Sequence, residues 1–180
     1  FRDFIGKLWS RKKVEKEVKV GGVSVKQSSY EITAKEGVEI DCMVIDTGSE
    51  MAKKYARELK GKAESLQLKQ WGKLKDTLDN FFSFTNAIPA NLVVNCHSKM
   101  QEDNENGIMR VMPYIEGSTK VDVGKWFDFV LYTKVHKAKD GTRQYVWVTA
   151  RDEHYCHAKD RTQELPAEIP QDYSIIFDAV

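Results

Sequence analysis

Asp46 closes the run Val38-Glu39-Ile40-Asp41-Cys42-Met43-Val44-Ile45 and is followed by Thr47-Gly48-Ser49. A carboxylate at the end of an apolar strand is one way to hold Mg²⁺ beside a nucleotide, because a hard cation takes oxygen ligands. The same residue type also caps helices, so the position alone leaves both uses open. His97 closes a second apolar run, Asn91-Leu92-Val93-Val94-Asn95-Cys96-His97. If the two strands are neighbours, His97 lies beside Asp46, where an imidazole can position water or sense a phosphate. Read alone, it is more simply a hydrogen-bonded histidine at the edge of a core. Lys159 and Arg161 flank Asp160. Two residues apart on a strand they share a face, and two cations on one face suit a phosphate. Without that context they read as an exposed charged turn.

Other chemistries are weaker. Cys96, His97, His154, Cys156 and His157 are zinc-ligand types, but there is no CxxC and no pair of spaced couples. Asp41 and Asp46 lie at opposite ends of one strand, about 16 Å apart at ~3.3 Å per residue, too far to share a metal in a nuclease or hydrolase with His97. No nucleophile-elbow GxSxG occurs. The phosphate-cradling GxxxxGK[ST] is also missing: Gly61-Lys62, Gly72-Lys73 and Gly124-Lys125 all lack it.

The elements that must position these residues follow from periodicity. Gly48-Ser49 opens a helix with Ser49 as cap, and Met51, Tyr55 and Leu59 form its stripe up to Gly61. A second helix over 65–85 carries Leu68, Trp71, Leu74, Leu78, Phe81 and Phe82. Cys42–Ile45 reads as a strand buried on both faces. Residues 98–123 read as a long polar loop, a length that is usually functional. Phe127–Val135 reads as a strand, Asp140-Gly141 as a hairpin turn and Tyr145–Thr149 as the return strand. Tyr155–Ala158 is one more strand. The order predicts an α/β fold whose parallel sheet is extended by antiparallel C-terminal strands.

Residues 1–36 differ from the rest. Phe1, Phe4, Ile5, Leu8 and Trp9 have the spacing of an amphipathic helix start. Arg11–Lys19 mixes charge signs as a solvated arm does, Gly21-Gly22 breaks it, and Val23, Val25 and Gln27 alternate as a short strand. We expect an N-terminal arm over 1–36 and a core over 37–180. The chain starts at Phe1, as a fragment or processed chain does.

Composition bounds the partners. The 180 residues are 41% hydrophobic and 31% charged, enough for one domain with a real core. With Lys+Arg 28 and Asp+Glu 27 the net charge is +1, which excludes a strongly basic nucleic-acid binder but not a local basic patch. No apolar run reaches a membrane-spanning length. Three scattered cysteines fit a reducing compartment.

Taken in order, Val44-Ile45-Asp46-Thr47, Trp71, Asn91–His97, Pro113 and Gly117, Trp126-Phe127-Asp128, Ala158-Lys159-Asp160-Arg161-Thr162 and Leu165-Pro166 resemble the RecA-like P-loop ATPases of phages and prophages. These are an AAA-type group linked to single-strand annealing and recombination. The resemblance covers residues 37–180 and implies a RecA-like P-loop NTPase core. It implies ATP and Mg²⁺ as ligands, with Asp46 as the Mg²⁺-organising aspartate and Thr47 beside it. It makes His97 the residue that couples the γ-phosphate to a DNA-binding loop at 98–123, and Lys159 and Arg161 a finger pair reaching a neighbouring subunit's nucleotide. The family's catalytic glutamate falls on none of these motifs. The implied partners are single-stranded DNA, further copies in a ring or filament, and a single-strand-binding protein, in the cytoplasm of a bacterial host.

Two functions follow. One is an ATPase of phage recombination or annealing that works at subunit interfaces. The other, favoured by the missing phosphate cradle, is a non-catalytic module of the same fold that binds single-stranded DNA or a partner protein. Its nucleic-acid contacts are Lys99, Arg110, Lys120 and Lys125, interleaved with Met109, Met112, Tyr114 and Trp126.

Overall fold

The computed structural model describes residues 9–20 and 23–178. Strands β1 (Trp9–Val20) and β2 (Val23–Ala34) form an antiparallel ribbon in register from Trp9 opposite Ala34 to Val20 opposite Val23. The mixed-sign run therefore forms a strand. Its base is anchored where Trp9 and Ile32 bury themselves with Ile88, against Ile40, Met43, Phe84 and Ala90. The helix start read over Phe1–Trp9 lies outside the described residues except at Trp9, which begins β1.

Strand β3 (Cys42–Asp46) pairs in parallel with β4 (Asn91–Asn95), from Cys42 opposite Asn91 to Asp46 opposite Asn95. Parallel neighbours need a long crossover. Here it is two helices, α1 (Gly48–Lys60) and α2 (Leu68–Thr85). The predicted α2 stripe divides. Leu74, Leu78 and Phe82 are buried, whereas Leu68 is 90% exposed. The main core joins these three to Ala52 and Ala56 of α1 and to Ile115 and Val123 of a later segment. The expectation that Cys42–Ile45 is buried on both faces fails. Cys42 is exposed and Val44 is 59% exposed. The cause is topological: among the described residues β3 has a single strand neighbour, β4.

The long loop expected over 98–123 is in fact a hairpin followed by short helical turns. Strand β5 (Ser98–Asp103) pairs with β6 (Ile108–Pro113). The Asp103 carboxylate organises the turn by accepting from the Glu105 N–H at 3.2 Å and the Asn106 side chain at 2.8 Å. Gly107, at φ 66°, supplies the left-handed residue that closes it. Helix α3 (Thr119–Asp122) and a 3₁₀ turn (Val123–Trp126) follow.

The expected strand Phe127–Val135 is split into β7 (Phe129–Val130) and β8 (Tyr132–Lys137). The Asp140-Gly141 hairpin is present: β8 pairs with β9 (Arg143–Val148), and Gly141 has φ 86°. Tyr155–Ala158 is not a strand, because pairing starts only at β10 (Lys159–Asp160), which lies against β7. Strand β11 (Glu168–Pro170) adds to β9, and α4 (Tyr173–Phe177) ends the described chain. These strands do not extend the β3–β4 sheet as expected. They hydrogen-bond to one another in separate small sheets, which leaves the parallel sheet at two strands.

One cluster ties β8 to β11. The Lys134 ammonium donates to Glu168 Oε1 at 2.6 Å, and His136 Nε2 lies 2.5 Å from Glu168 Oε2. Lys134 first, then His136, hold the Glu168 carboxyl below the usual carboxylate range. Because the folded value is depressed, the stabilisation is present above the unfolded value and is lost as pH falls through the folded one. Glu168→Gln is expected to flatten the acid limb of stability between roughly pH 5 and pH 3. Urea midpoints for both proteins across that range decide it; parallel curves would reject the role of this cluster.

Candidate nucleotide site and basic clefts

The C-terminal ends of β3 and β4 place Asp46 opposite Asn95, with His97 two residues further on. The turn after Asp46 is fixed locally. Thr47, in extended conformation, caps α1 by accepting from the Glu50 N–H at 3.1 Å. Ser49, expected as the cap, lies inside the helix and is buried. Its hydroxyl oxygen instead accepts from the His97 N–H at 2.9 Å. The capping signature was legible, since Thr47-Gly48-Ser49-Glu50 has the T-x-x-E spacing.

Gly48 is required by close packing. A Cβ there would lie 2.8 Å from Val94 Cγ1 and 3.0 Å from Cys96 Sγ. Gly48→Ala is expected to cost about 1–3 kcal/mol through overpacking. Gly72→Ala is the control: nothing lies within 4 Å of the added methyl, and the change relieves a helix-interior glycine. Denaturant midpoints that fall equally for both would exclude the packing explanation.

The Asp46 carboxylate is exposed and has no hydrogen-bond or ion-pair partner among the described residues. His97 is exposed too, and its backbone links two elements. Its N–H holds Ser49 and its carbonyl accepts from the Tyr114 N–H at 2.7 Å, at the base of the β5–β6 hairpin. The two strands are neighbours, as the sequence reading required, but Asn95 is the residue in register with Asp46, and His97 lies two residues further on, beyond the end of β4.

Lys159 and Arg161 are employed differently. The Lys159 ammonium donates to the carbonyls of Phe127 at 2.6 Å and Gly124 at 3.2 Å. Arg161 forms an exposed ion pair with Asp128, and its N–H donates to the Asp128 carbonyl at 3.1 Å. Between them Asp160 anchors the following loop. Burial raises its carboxyl, but hydrogen bonds from Thr162 and Leu165 outweigh this and hold it below the usual range.

The four basic residues read as nucleic-acid contacts divide three ways. Lys99 and Lys120 line one cleft of about 90 Å³ with Tyr114 and Met112. There Lys99 Nζ sits 5.8 Å from the Tyr114 ring centre, and Lys120 donates to Gln101 at 3.0 Å. Arg110 is paired with Asp103 at 2.6 Å. Lys125 belongs to a second cleft, where it lies over Trp126 at 4.8 Å. Arg151 and His157 also line that second cleft. Sequence reasoning weighed His157 only as a zinc-ligand type and passed over Arg151, because local spacing carries no signal that brings them to Lys125.

A family model described as an AAA domain matches residues 1–162. The chain belongs to the AAA domain family. No curated protein and no solved structure matches the sequence. The match takes in the β1–β2 ribbon as well as the β3–β4 unit and the hairpin. Membership makes this a P-loop NTPase fold, and AAA domains bind ATP with Mg²⁺ and hydrolyse it. The donor set fits one part of that chemistry. Asp46 of this AAA domain offers a single free hard-oxygen ligand, and Mg²⁺ takes its remaining positions from water and phosphates. An all-protein cage is not formed: no group of three or more His, Cys, Asp or Glu gathers among the described residues. The triphosphate cradle is not found in the 180 residues, which contain no GxxxxGK[ST]. No helix among the described residues is long and apolar enough to cross a membrane.

Proposed function

We propose that this AAA domain is the Asp46-bearing part of an ATPase of phage DNA recombination or single-strand annealing, with a RecA-like core over 37–180 and an arm over 1–36. The unpartnered Asp46 carboxylate at the end of β3, in register with Asn95, carries the reading. Bound Mg²⁺ supplies charge neutralisation at the phosphates. Asp46 would hold the ion, the Thr47 cap fixes the turn, and His97, two residues beyond the Asn95 that pairs with Asp46, would orient the attacking water. The edge of β3 that has no strand partner among the described residues supports completion of the sheet by a further strand, which would bring a phosphate cradle.

Arg161 acts in trans in this reading, on ATP bound to a neighbouring subunit of a ring or filament. Its side-chain exposure of 69% and its single side-chain partner among the described residues support that role. Lys159, spent on two carbonyls, anchors the strand from which Arg161 departs. Single-stranded DNA runs along Lys99 and Lys120 with Tyr114 as a stacking platform, and Arg110 and Lys125 flank it. A single-strand-binding protein is a further partner, and the setting is the bacterial cytoplasm.

The test is ATP hydrolysis by the natural gene product with Mg²⁺. Asp46→Asn is expected to reduce turnover by about 10²-fold or more through loss of the metal ligand, with ATP binding in the absence of Mg²⁺ retained. The second reading, a non-catalytic module, rests on the missing cradle motif. A gene product that binds oligothymidylate with steep salt dependence, but neither binds nor turns over ATP, would establish that reading instead.

A further inference from the structure

The second basic cleft, of about 220 Å³, lies between residues 121–125 and residues 151–159. Lys125, Arg151 and Lys159 line it together with His157, opposed by the single carboxylate of Asp122. Asp122 is already engaged, by Lys75 at 3.2 Å and Lys125 at 3.8 Å. Arg151 uses its Nε on the Ala158 carbonyl at 3.2 Å, and its terminal amino groups have no partner among the described residues. Lys159 gives two of its three N–H groups to the Gly124 and Phe127 carbonyls and keeps one. The His157 Nε2 is buried and has no hydrogen-bond partner among the described residues. Burial, then Arg151 and Arg110, hold the imidazole below its ordinary value, and Asp122 opposes them.

The cleft thus has more free cationic donors than acidic acceptors, since its one carboxylate, Asp122, already holds Lys75 and Lys125 through Oδ2. Its lining carries three cations against one carboxylate, a surplus of two, before any charge on His157. A guanidinium fork takes carboxylate and phosphate alike, and the surplus of two positive charges selects the dianion, a phosphate, over a singly charged carboxylate. We propose that this cleft binds a phosphate group, at a site that shares no lining residue with the Asp46 end of β3. The phosphate comes either from a free phosphate or nucleotide, or from the backbone of a single strand. The inference holds whether or not the Asp46 site hydrolyses ATP. A bound dianion offsets Arg151 and Arg110 and draws a proton onto His157.

The experiment uses the 180-residue chain at constant ionic strength, with amide and imidazole NMR signals followed during titration with inorganic phosphate. Saturable shifts confined to residues 121–125 and 151–159 are expected, with an upward move of the His157 titration. Arg151→Gln is expected to weaken phosphate binding about tenfold or more, as loss of a charge-assisted donor pair does. Lys125→Gln provides the same comparison should Arg151→Gln disturb the fold. Oligothymidylate identifies the source. Displacement of phosphate from the cleft assigns it to the nucleic-acid backbone, and no displacement assigns it to a free phosphate. Non-saturable drift, or equal affinity in wild type and both variants, overturns the proposal.

Discussion

Arg161→Ala is expected to cut ATP turnover by about 10³-fold, the lower range for loss of an arginine finger, and to leave nucleotide binding unchanged. The structural basis is that the Arg161 side chain has little to hold in place inside its own domain. Its only side-chain partner among the described residues is Asp128, in a pair with side-chain exposures of 69% and 54%. Surface pairs of this kind contribute little to stability. The fold is therefore expected to survive the substitution, so a loss of turnover would count for the proposed role at a neighbouring subunit's nucleotide. Asp128→Ala tests the other half, because it releases the guanidinium without removing it and turnover should not fall. Steady-state hydrolysis beside equilibrium ATP binding separates the cases. Equal loss of binding and turnover in Arg161→Ala would remove the residue from the finger role. A mixture of Asp46→Asn and Arg161→Ala chains should recover part of the activity, since each supplies the half-site the other lacks.

Phe82→Ala should destabilise the domain by about 3–5 kcal/mol. The ring is 1% exposed and packs edge-on against Phe81 at 5.1 Å and Phe127 at 5.6 Å. It joins α2 to the segment that carries Asp128 and Arg161, so the cavity would open between the helical crossover and the C-terminal part. Leu68→Ala on the same helix should change stability by less than about 0.5 kcal/mol. Leu68 shares the apolar spacing of the stripe but is 90% exposed. Urea unfolding of both variants reads the difference directly. Similar losses would mean that the core does not centre on α2.

The contrast between Phe82 and Leu68 also marks how far the sequence is legible. Periodicity located both helices, because burial of Leu74, Leu78 and Phe82 imposes the 3.6-residue spacing. The Asp140-Gly141 turn was visible because a two-strand hairpin there needs a positive φ, and Gly141 supplies it. Asp46 and His97 were readable because apolar runs end at them. The β5–β6 hairpin was not. Five of the six residues of β5 are exposed, so no alternation marks it, and its turn depends on Asp103 bonding onward to residues 105 and 106. Ser49 misled for a related reason: a buried hydroxyl serving His97 has the same composition as a cap. Arg151 and His157 meet Lys125 only through the tertiary fold, which local spacing does not encode.

The single-neighbour strand β3 bears on how a sample of these residues behaves in a tube. Val44 and the Cys42 thiol sit on a strand whose second edge has no described partner. Such an edge recruits any extended chain it meets, another molecule of the same protein included. Concentrating the isolated polypeptide therefore favours sheet-mediated self-association. Air oxidation at Cys42 would convert those encounters into covalent dimers. Light scattering that rises with protein concentration, and falls when a reductant is present, is the expected laboratory signature.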